Sequence, residues 1–372
     1  MPRARGPSRR IAGRSVGPVV ISLSAASIRR VLVVKLSSMG DVVHVTPCLR
    51  ALRRTYPTAS IAMAVERRFA PIVRHSPHLD EIIEVDRGKG RLAAWLEPWR
   101  HLAGRRRPRF DLAIDFQGTH RSAAWIYASG ARVRAGRRRG AGREWRPGWH
   151  RVVSPASSRH AVRVCADVAA SVGVPVVDLD PELRVPPDAE ARLDARLAAA
   201  GLPASGFVLV NPFTRWPSKS WPIDLYRTLL TRLAEVVRAP IVLHAGPGEE
   251  PGLEALADVV GRRGRAAAIV PAPPLDEALA LFRRARLMVT GDTGPMHCAA
   301  ALGTPVVALF GPTWPECTGP WGVGHRIIQA SRPATPDAYR ADAARTHIRA
   351  IAVPTVHRQI IEALQEPRGR PR

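Results

Sequence analysis

The stretch VLVVKLSSMGDVVH, residues 31–44, runs from an apolar strand through a small-residue loop into a helix. Residues 31–36 read as a buried strand, and 42–55 carry a helical pattern that ends before Tyr56–Pro57. Outward from this unit, SIAMAV (60–65), IIEV (82–85) and DLAIDF (111–116) are further strand candidates with helical segments between them. The alternation restarts at FVLVN (207–211). It continues through IVLHAG (241–246), AAIVP (267–271), LMVTGD (287–292) and VVALFG (306–311). Strands alternating with helices make parallel sheets. The expected fold is α/β, with two Rossmann-like domains facing each other across a central cleft.

A chain of 372 residues, 46% of them hydrophobic, is long enough for two full cores. The expected boundaries are a first domain over 30–175, a linker region over 176–205 and a second domain over 206–340. A C-terminal helix and basic tail follow over 341–372. The linker is placed by VPVVDLDPELRVPPDAE (174–190), with four prolines and no periodicity. Residues 136–159, rich in Gly, Arg, Pro and Trp, read as a long irregular loop before a helix near 160–172. Residues 1–29 read as a disordered basic tail rather than a signal peptide, because Gly17–Pro18 break the apolar run. No apolar stretch reaches membrane-spanning length. The four cysteines have no metal-ligand or disulfide spacing, which points to a reducing cytoplasm. The formal net charge is +25, and residues 100–151 hold fourteen arginines against Asp111, Asp115 and Glu144. Such a surface attracts phosphates or an anionic membrane.

Four stretches carry candidate chemistry, each at the carboxyl end of a strand, where open α/β sheets bind ligands. In the opening stretch, Ser37, Ser38 and Gly40 offer backbone N–H groups to an anion. Asp41 is either an acid capping the helix or a base facing the cleft. In NPFTRWPSKSW (211–221), a helix is expected from Ser220 or Trp221. Lys219 is a rare lysine in an arginine-rich chain and suits a point charge on phosphate. In HAGPGEEPG (244–252), Glu249 or Glu250 could bind ribose hydroxyls or cap the turn. In VTGDTGPMH (289–297), the N–H groups of Thr293 and Gly294 can cradle a diphosphate at a helix start, with His297 one turn in. Asp292 would repel phosphate, so it is expected to orient the loop or bind a sugar hydroxyl.

Together these stretches resemble glycosyltransferase family 9, the ADP-heptose:lipopolysaccharide heptosyltransferases. VLVVKLSSMGDVVHVTPCLRAL is similar to the family's first strand–loop–helix. DLAIDFQGTHRSA (111–123), HAVR (160–163) and GDTGPMHCAAALGTPVVALFGPT resemble its later motifs over roughly 31–330. The resemblance implies a GT-B architecture, inverting transfer, and no cofactor or obligatory metal. ADP-heptose is then the donor substrate and an anionic glycolipid, Kdo-lipid A, the acceptor. It implies Asp41 as general base. Donor contacts fall to Thr214, Lys219, Glu249 or Glu250, Asp292, Thr293, Gly294 and His297. Acceptor contacts fall to Ser38, Met39, Gly40, Gln117, Arg121, His160 and Arg163. Three departures stand out: the lysine loop is one residue longer, Arg163 replaces a glutamate, and PAPP (271–274) replaces a methionine-bearing segment. The expected setting is cytoplasmic and peripheral at the inner membrane, as a monomer that binds no nucleic acid. The alternatives are a family-9-type transferase for a later heptose or another sugar, a sugar-nucleotide 2-epimerase, and a basic nucleic-acid-binding protein.

Overall fold

A computed structural model describes residues 27–86, 91–103, 109–137, 152–154, 160–249, 252–253, 256, 269–270, 272–334 and 344–366. The tail before residue 27, most of 136–159 and Glu250 lie outside the described residues.

The first half folds as β1 (Arg30–Val34), α1 (Met39–Thr55), β2 (Ser60–Glu66), β3 (Glu81–Val85), α2 (Arg91–Ala103), β4 (Leu112–Asp115), α3 (His120–Ala128), β5 (Val133–Arg137), β6 (Val152–Ser154) and α4 (Ala161–Ala170). Helix α5 (Pro187–Ala199) leads to β7 (Val208–Asn211), α6 (Ile223–Val236), β8 (Ile241–His244), β9 (Ile269–Val270), α7 (Leu275–Arg284), β10 (Leu287–Gly291) and α8 (Gly294–Ala301). Then come β11 (Val306–Leu309), α9 (Pro315–Thr318), β12 (Arg326–Ile328), α10 (Arg345–Arg349) and α11 (Val353–Gln365).

Both sheets are parallel, and they share one topology. The orders are β3-β2-β1-β4-β5-β6 and β9-β8-β7-β10-β11-β12. In each, the chain reverses direction across the sheet between its first and fourth strands, and ligands bind outside the carboxyl ends at such a point. The segments after β1, β4, β7 and β10 therefore converge by topology. They carry Asp41, Gln117, Lys219 and Asp292 respectively.

Both faces of each sheet are buried, which is why the strands read as continuous apolar runs. In β1, Val31 and Val33 face one core, and Leu32 and Val34 the other. The first of these cores also holds residues of α7 and α8, so it continues from one domain into the other. Helices α2 and α3 cover the far face of the first sheet, where Trp125 is fully buried.

Three expectations need correction. Strands β5, β6 and β12 were absent from the sequence pattern; two of them fall within or beside the expected irregular loop. The expected linker contains α5, which opens at Pro187 and buries Ala189, Leu193 and Leu197. A proline is tolerated in the first helical turn because the amide it lacks would have no partner there. Helix α5 packs on α7, where Arg192 and Arg196 hold the buried Glu277. The helix after the lysine loop starts at Ile223, behind a 3₁₀ turn over Pro217–Lys219, rather than at Ser220 or Trp221.

Candidate active site

Asp41 is not the N-cap of α1. Ser38 holds that place, and Asp41 sits three residues in. Its Oδ2 accepts from the Ser38 amide at 3.1 Å and from the Ser38 hydroxyl at 2.8 Å. Its Oδ1 lies 3.1 Å from Nζ of Lys35, whose side chain is 2% exposed, while that of Asp41 is 31% exposed. Desolvation pushes the Asp41 carboxyl up. The Lys35 ammonium, the His44 ring and the Ser38 donors outweigh it and hold the group well below the usual carboxylate range. The acid is thus ionised, aimed and open to the cleft, and it serves both as a helix-terminal acceptor and as a candidate base.

The loop in front of it is braced by the motif after β4. The Asp115 carboxylate is buried and accepts from the Gln117 and Gly118 amides and the Ser122 hydroxyl. That turn carries Gln117 Oε1 to 3.1 Å from the Ser37 amide. Gln117 therefore shapes the Ser37–Asp41 loop. Arg121 is committed to Glu66 and Glu97, so its charge is matched within its own domain.

On the facing domain, Lys219 Nζ lies 2.7 Å from Asp292 Oδ2, with side chains 15% and 6% exposed. Asp292 thus holds the lysine in place. Thr293 is the N-cap of α8 and accepts from the Met296 amide. Thr214 donates to the Trp216 carbonyl and meets the Ser220 hydroxyl. Glu249 accepts from the Gly246 amide at 2.8 Å and closes its own turn. Behind these loops, His244 donates through Nδ1 to Asn211 Oδ1, and Asn211 donates to Thr290, which meets Thr293. Burial takes the His244 ring down to about 4, so it is neutral at pH 7 and leaves this network uncharged.

The two halves meet tip to tip. A Cβ on Gly40 would fall 2.2 Å from His297 Cδ2, and one on Gly294 would fall 2.6 Å from Met39. The helix starts of α1 and α8 approach so closely that only glycine fits at either position. Met39, Gly40 and Gly294 are therefore part of the contact between domains. Gly40→Ala favours the helix locally by up to about 1 kcal/mol, yet it displaces the His297 ring. The expected result is a lowered melting temperature, because the clash with a buried ring outweighs the helix gain, with kcat/KM at least tenfold lower. Calorimetry and steady-state rates on one preparation check both halves.

Around this contact, His160 caps α4 by accepting from the Val162 amide and places Nε2 3.3 Å from the Gly319 carbonyl. Trp321 lies between His160, at 4.7 Å, and Arg163, at 5.4 Å from its ring centre. Both expected acceptor-side residues therefore also bridge the domains. Lys35, which pairs with Asp41, is a side chain of the candidate site that sequence reasoning missed. The rarity of lysine, used for Lys219, applies to it equally: the chain has three lysines among 56 Lys and Arg residues. Among the described residues, no group of three or more His, Cys, Asp or Glu is placed to hold a metal ion, and no helix is long and apolar enough to cross a membrane.

Two parallel-sheet α/β domains that bring a carboxylate from one strand end against a helix start from another have the architecture of a GT-B glycosyltransferase. A family model described as glycosyltransferase family 9 (heptosyltransferase) matches residues 99–347. The chain is 31% identical over 322 residues to lipopolysaccharide heptosyltransferase 1 of Pseudomonas aeruginosa, spanning 82% of this chain and 85% of that protein. It is 28% identical to lipopolysaccharide heptosyltransferase 1 of Escherichia coli K12, over 82% of this chain and 94% of that protein. A solved family 9 glycosyltransferase from Veillonella parvula shares the fold, with a TM-score of 0.79 at 20% identity over 94% of this chain and all of that one. An E. coli heptosyltransferase solved with ADP-2-deoxy-2-fluoro heptose gives 0.68 at 24% identity, over 90% of this chain and 99% of that one. The chain belongs to glycosyltransferase family 9, and it is a glycosyltransferase.

Proposed function

We propose that this enzyme moves heptose from ADP-heptose to a hydroxyl of the lipopolysaccharide inner core, on Kdo-lipid A, with inversion at the anomeric carbon. Asp41 takes the acceptor proton. The oxygen attacks the anomeric carbon while ADP leaves from the opposite face, through an oxocarbenium-like transition state. Lys219, the start of α8 and His297 meet the charge that grows on the leaving diphosphate, a preorganised electrostatic contribution. No metal or cofactor takes part. The chain works as a monomer at the cytoplasmic face of the inner membrane, where its basic first domain meets the acceptor's phosphates and carboxylates.

The observation that carries this reading is the contact between α1 and α8, which sets Asp41 beside the helix start of the second domain. Strong depression of the Asp41 carboxyl is compatible with the role. In an oxocarbenium-like reaction the acceptor oxygen becomes acidic as its new bond forms, so a weak, always-ionised base is sufficient late in the step.

Mass spectrometry of products from ADP-heptose and a panel of lipid A-derived acceptors, run with a chelator present, tests the proposal. The expected product is the Kdo-bearing acceptor plus one heptose. Transfer only to acceptors that already carry heptose would reassign the enzyme to a later step. Consumption of ADP-heptose without any acceptor gain would overturn the proposal.

A further inference from the structure

His44 and His297 make a hydrogen bond that joins the domains. His44 Nε2 lies 3.1 Å from His297 Nδ1, with the rings at 82° and both residues nearly buried, at 3% and 7% exposure. Two neutral imidazoles can share one proton here in only two ways. Either His44 donates from Nε2, or His297 donates from Nδ1. The choice matters because a neutral ring that keeps a proton on Nδ1 has none on Nε2.

The surroundings of His44 decide between them. The other nitrogen of His44, Nδ1, is buried without a partner. If His297 donated, that atom would be an orphaned N–H; if His44 donates, it is only an unused lone pair, the milder of the two defects. Nε2 of His297 lies at the Gly40 end of α1, where a Cβ would come within 3.0 Å of it. Burial takes His297 down to about 4, and burial, then the facing His297, keep His44 well below its ordinary value, so neither ring carries charge at pH 7.

We infer that His44 is a positioning residue: by donating to Nδ1 of His297, it fixes the tautomer in which His297 presents Nε2–H to the leaving diphosphate. The identity of the diphosphate rests on the proposed transfer; the tautomer does not. Because the donor and the acceptor sit in different domains, the proton on His297 is set only when the domains are together.

The test has two arms. In the first, the enzyme carrying ¹⁵N-histidine is observed by NMR at pH 7.5, alone and with ADP, with His297 identified by loss of its signals in His297→Gln. The expected signature is a protonated Nε2 and a bare Nδ1 on His297 in both states. A proton on Nδ1 overturns the inference, whatever the fate of the transfer reaction. In the second, His44→Gln retains an amide N–H near the place of Nε2, and His44→Phe does not. With ADP-heptose and the accepted glycolipid, kcat is expected to fall about tenfold or more in His44→Phe with KM for the donor little changed, and to stay within about threefold in His44→Gln. Equal losses in the two variants would show that His44 acts only as packing, and would overturn the role assigned to it.

Discussion

Replacing Asp41 by asparagine is expected to lower kcat by about three orders of magnitude while ADP affinity stays within about twofold, the effect of removing a general base without disturbing donor contacts. Asparagine is the informative choice because the carboxylate also accepts two hydrogen bonds from Ser38 at the start of α1. Alanine would remove those as well, at about 1 kcal/mol of helix stability, and would mix structural with chemical loss. The partner test is Lys35→Met. The buried Lys35 ammonium is one of the forces that hold the Asp41 carboxyl low. Without it the folded-state pKa rises, so the acid limb of kcat/KM moves toward neutral pH while the alkaline side changes less. The sign follows from the base being active when ionised: a higher pKa costs activity at low pH first. If Asp41→Asn turned over like the wild type, or Lys35→Met left the acid limb where it was, Asp41 would not be the base.

The fold was legible wherever strands are buried on both faces. β1, β2, β4, β7, β10 and β11 each contribute apolar residues to the cores, so their runs stand out without alternation. β5, VRAGR, and β12, RII, are short and carry arginine, and neither segment has an apolar signal a reader could separate from loop. α5 was hidden by its own prolines. Pro186 and Pro187 were taken as breakers, whereas Pro187 opens the helix and Leu193 and Leu197, four apart, turn one face to the core.

The site divides in the same way. The helix starts behind the Ser38–Asp41 loop and behind Thr293 could be located from spacing alone, but not that Ser38 and Thr293 are the residues that cap them. Also out of reach were the pairings that only the fold makes. Lys35 meets Asp41 only because a strand end turns back on the helix that follows it. Gln117 reaches Ser37 from a strand eighty residues on. The glycines at 40 and 294 were read as offering N–H groups to an anion; a Cβ on either would meet a side chain of the opposite domain. Their requirement for glycine is visible in one domain and its cause lies in the other.

Replacing Lys219 by methionine is expected to weaken ADP binding by about a hundredfold, more than the loss of one exposed cation would produce. The reason is its partner. Asp292 Oδ2 lies 2.7 Å from the ammonium, and its side chain is only 6% exposed. Removing the lysine leaves a buried carboxylate unpaired, which is costly in itself, at the mouth of the helix start where the diphosphate is expected. The loss therefore combines an absent attraction with a newly uncovered repulsion. These two parts can be separated with a double-mutant cycle. Asp292→Asn alone should leave ADP affinity unchanged or tighten it severalfold, because it frees the lysine for the ligand. The double variant, Lys219→Met with Asp292→Asn, should recover about tenfold of what Lys219→Met loses. Titration calorimetry at one ionic strength is the right measurement, since salt screens the exposed share of such interactions. If ADP bound Lys219→Met as tightly as wild type, the pair would be a structural clamp between β7 and β10, and the diphosphate would have to be held elsewhere. If the double variant bound no better than Lys219→Met, Asp292 would not be a repulsive neighbour, and its place beside the donor would need a different explanation, such as a hydroxyl of the sugar.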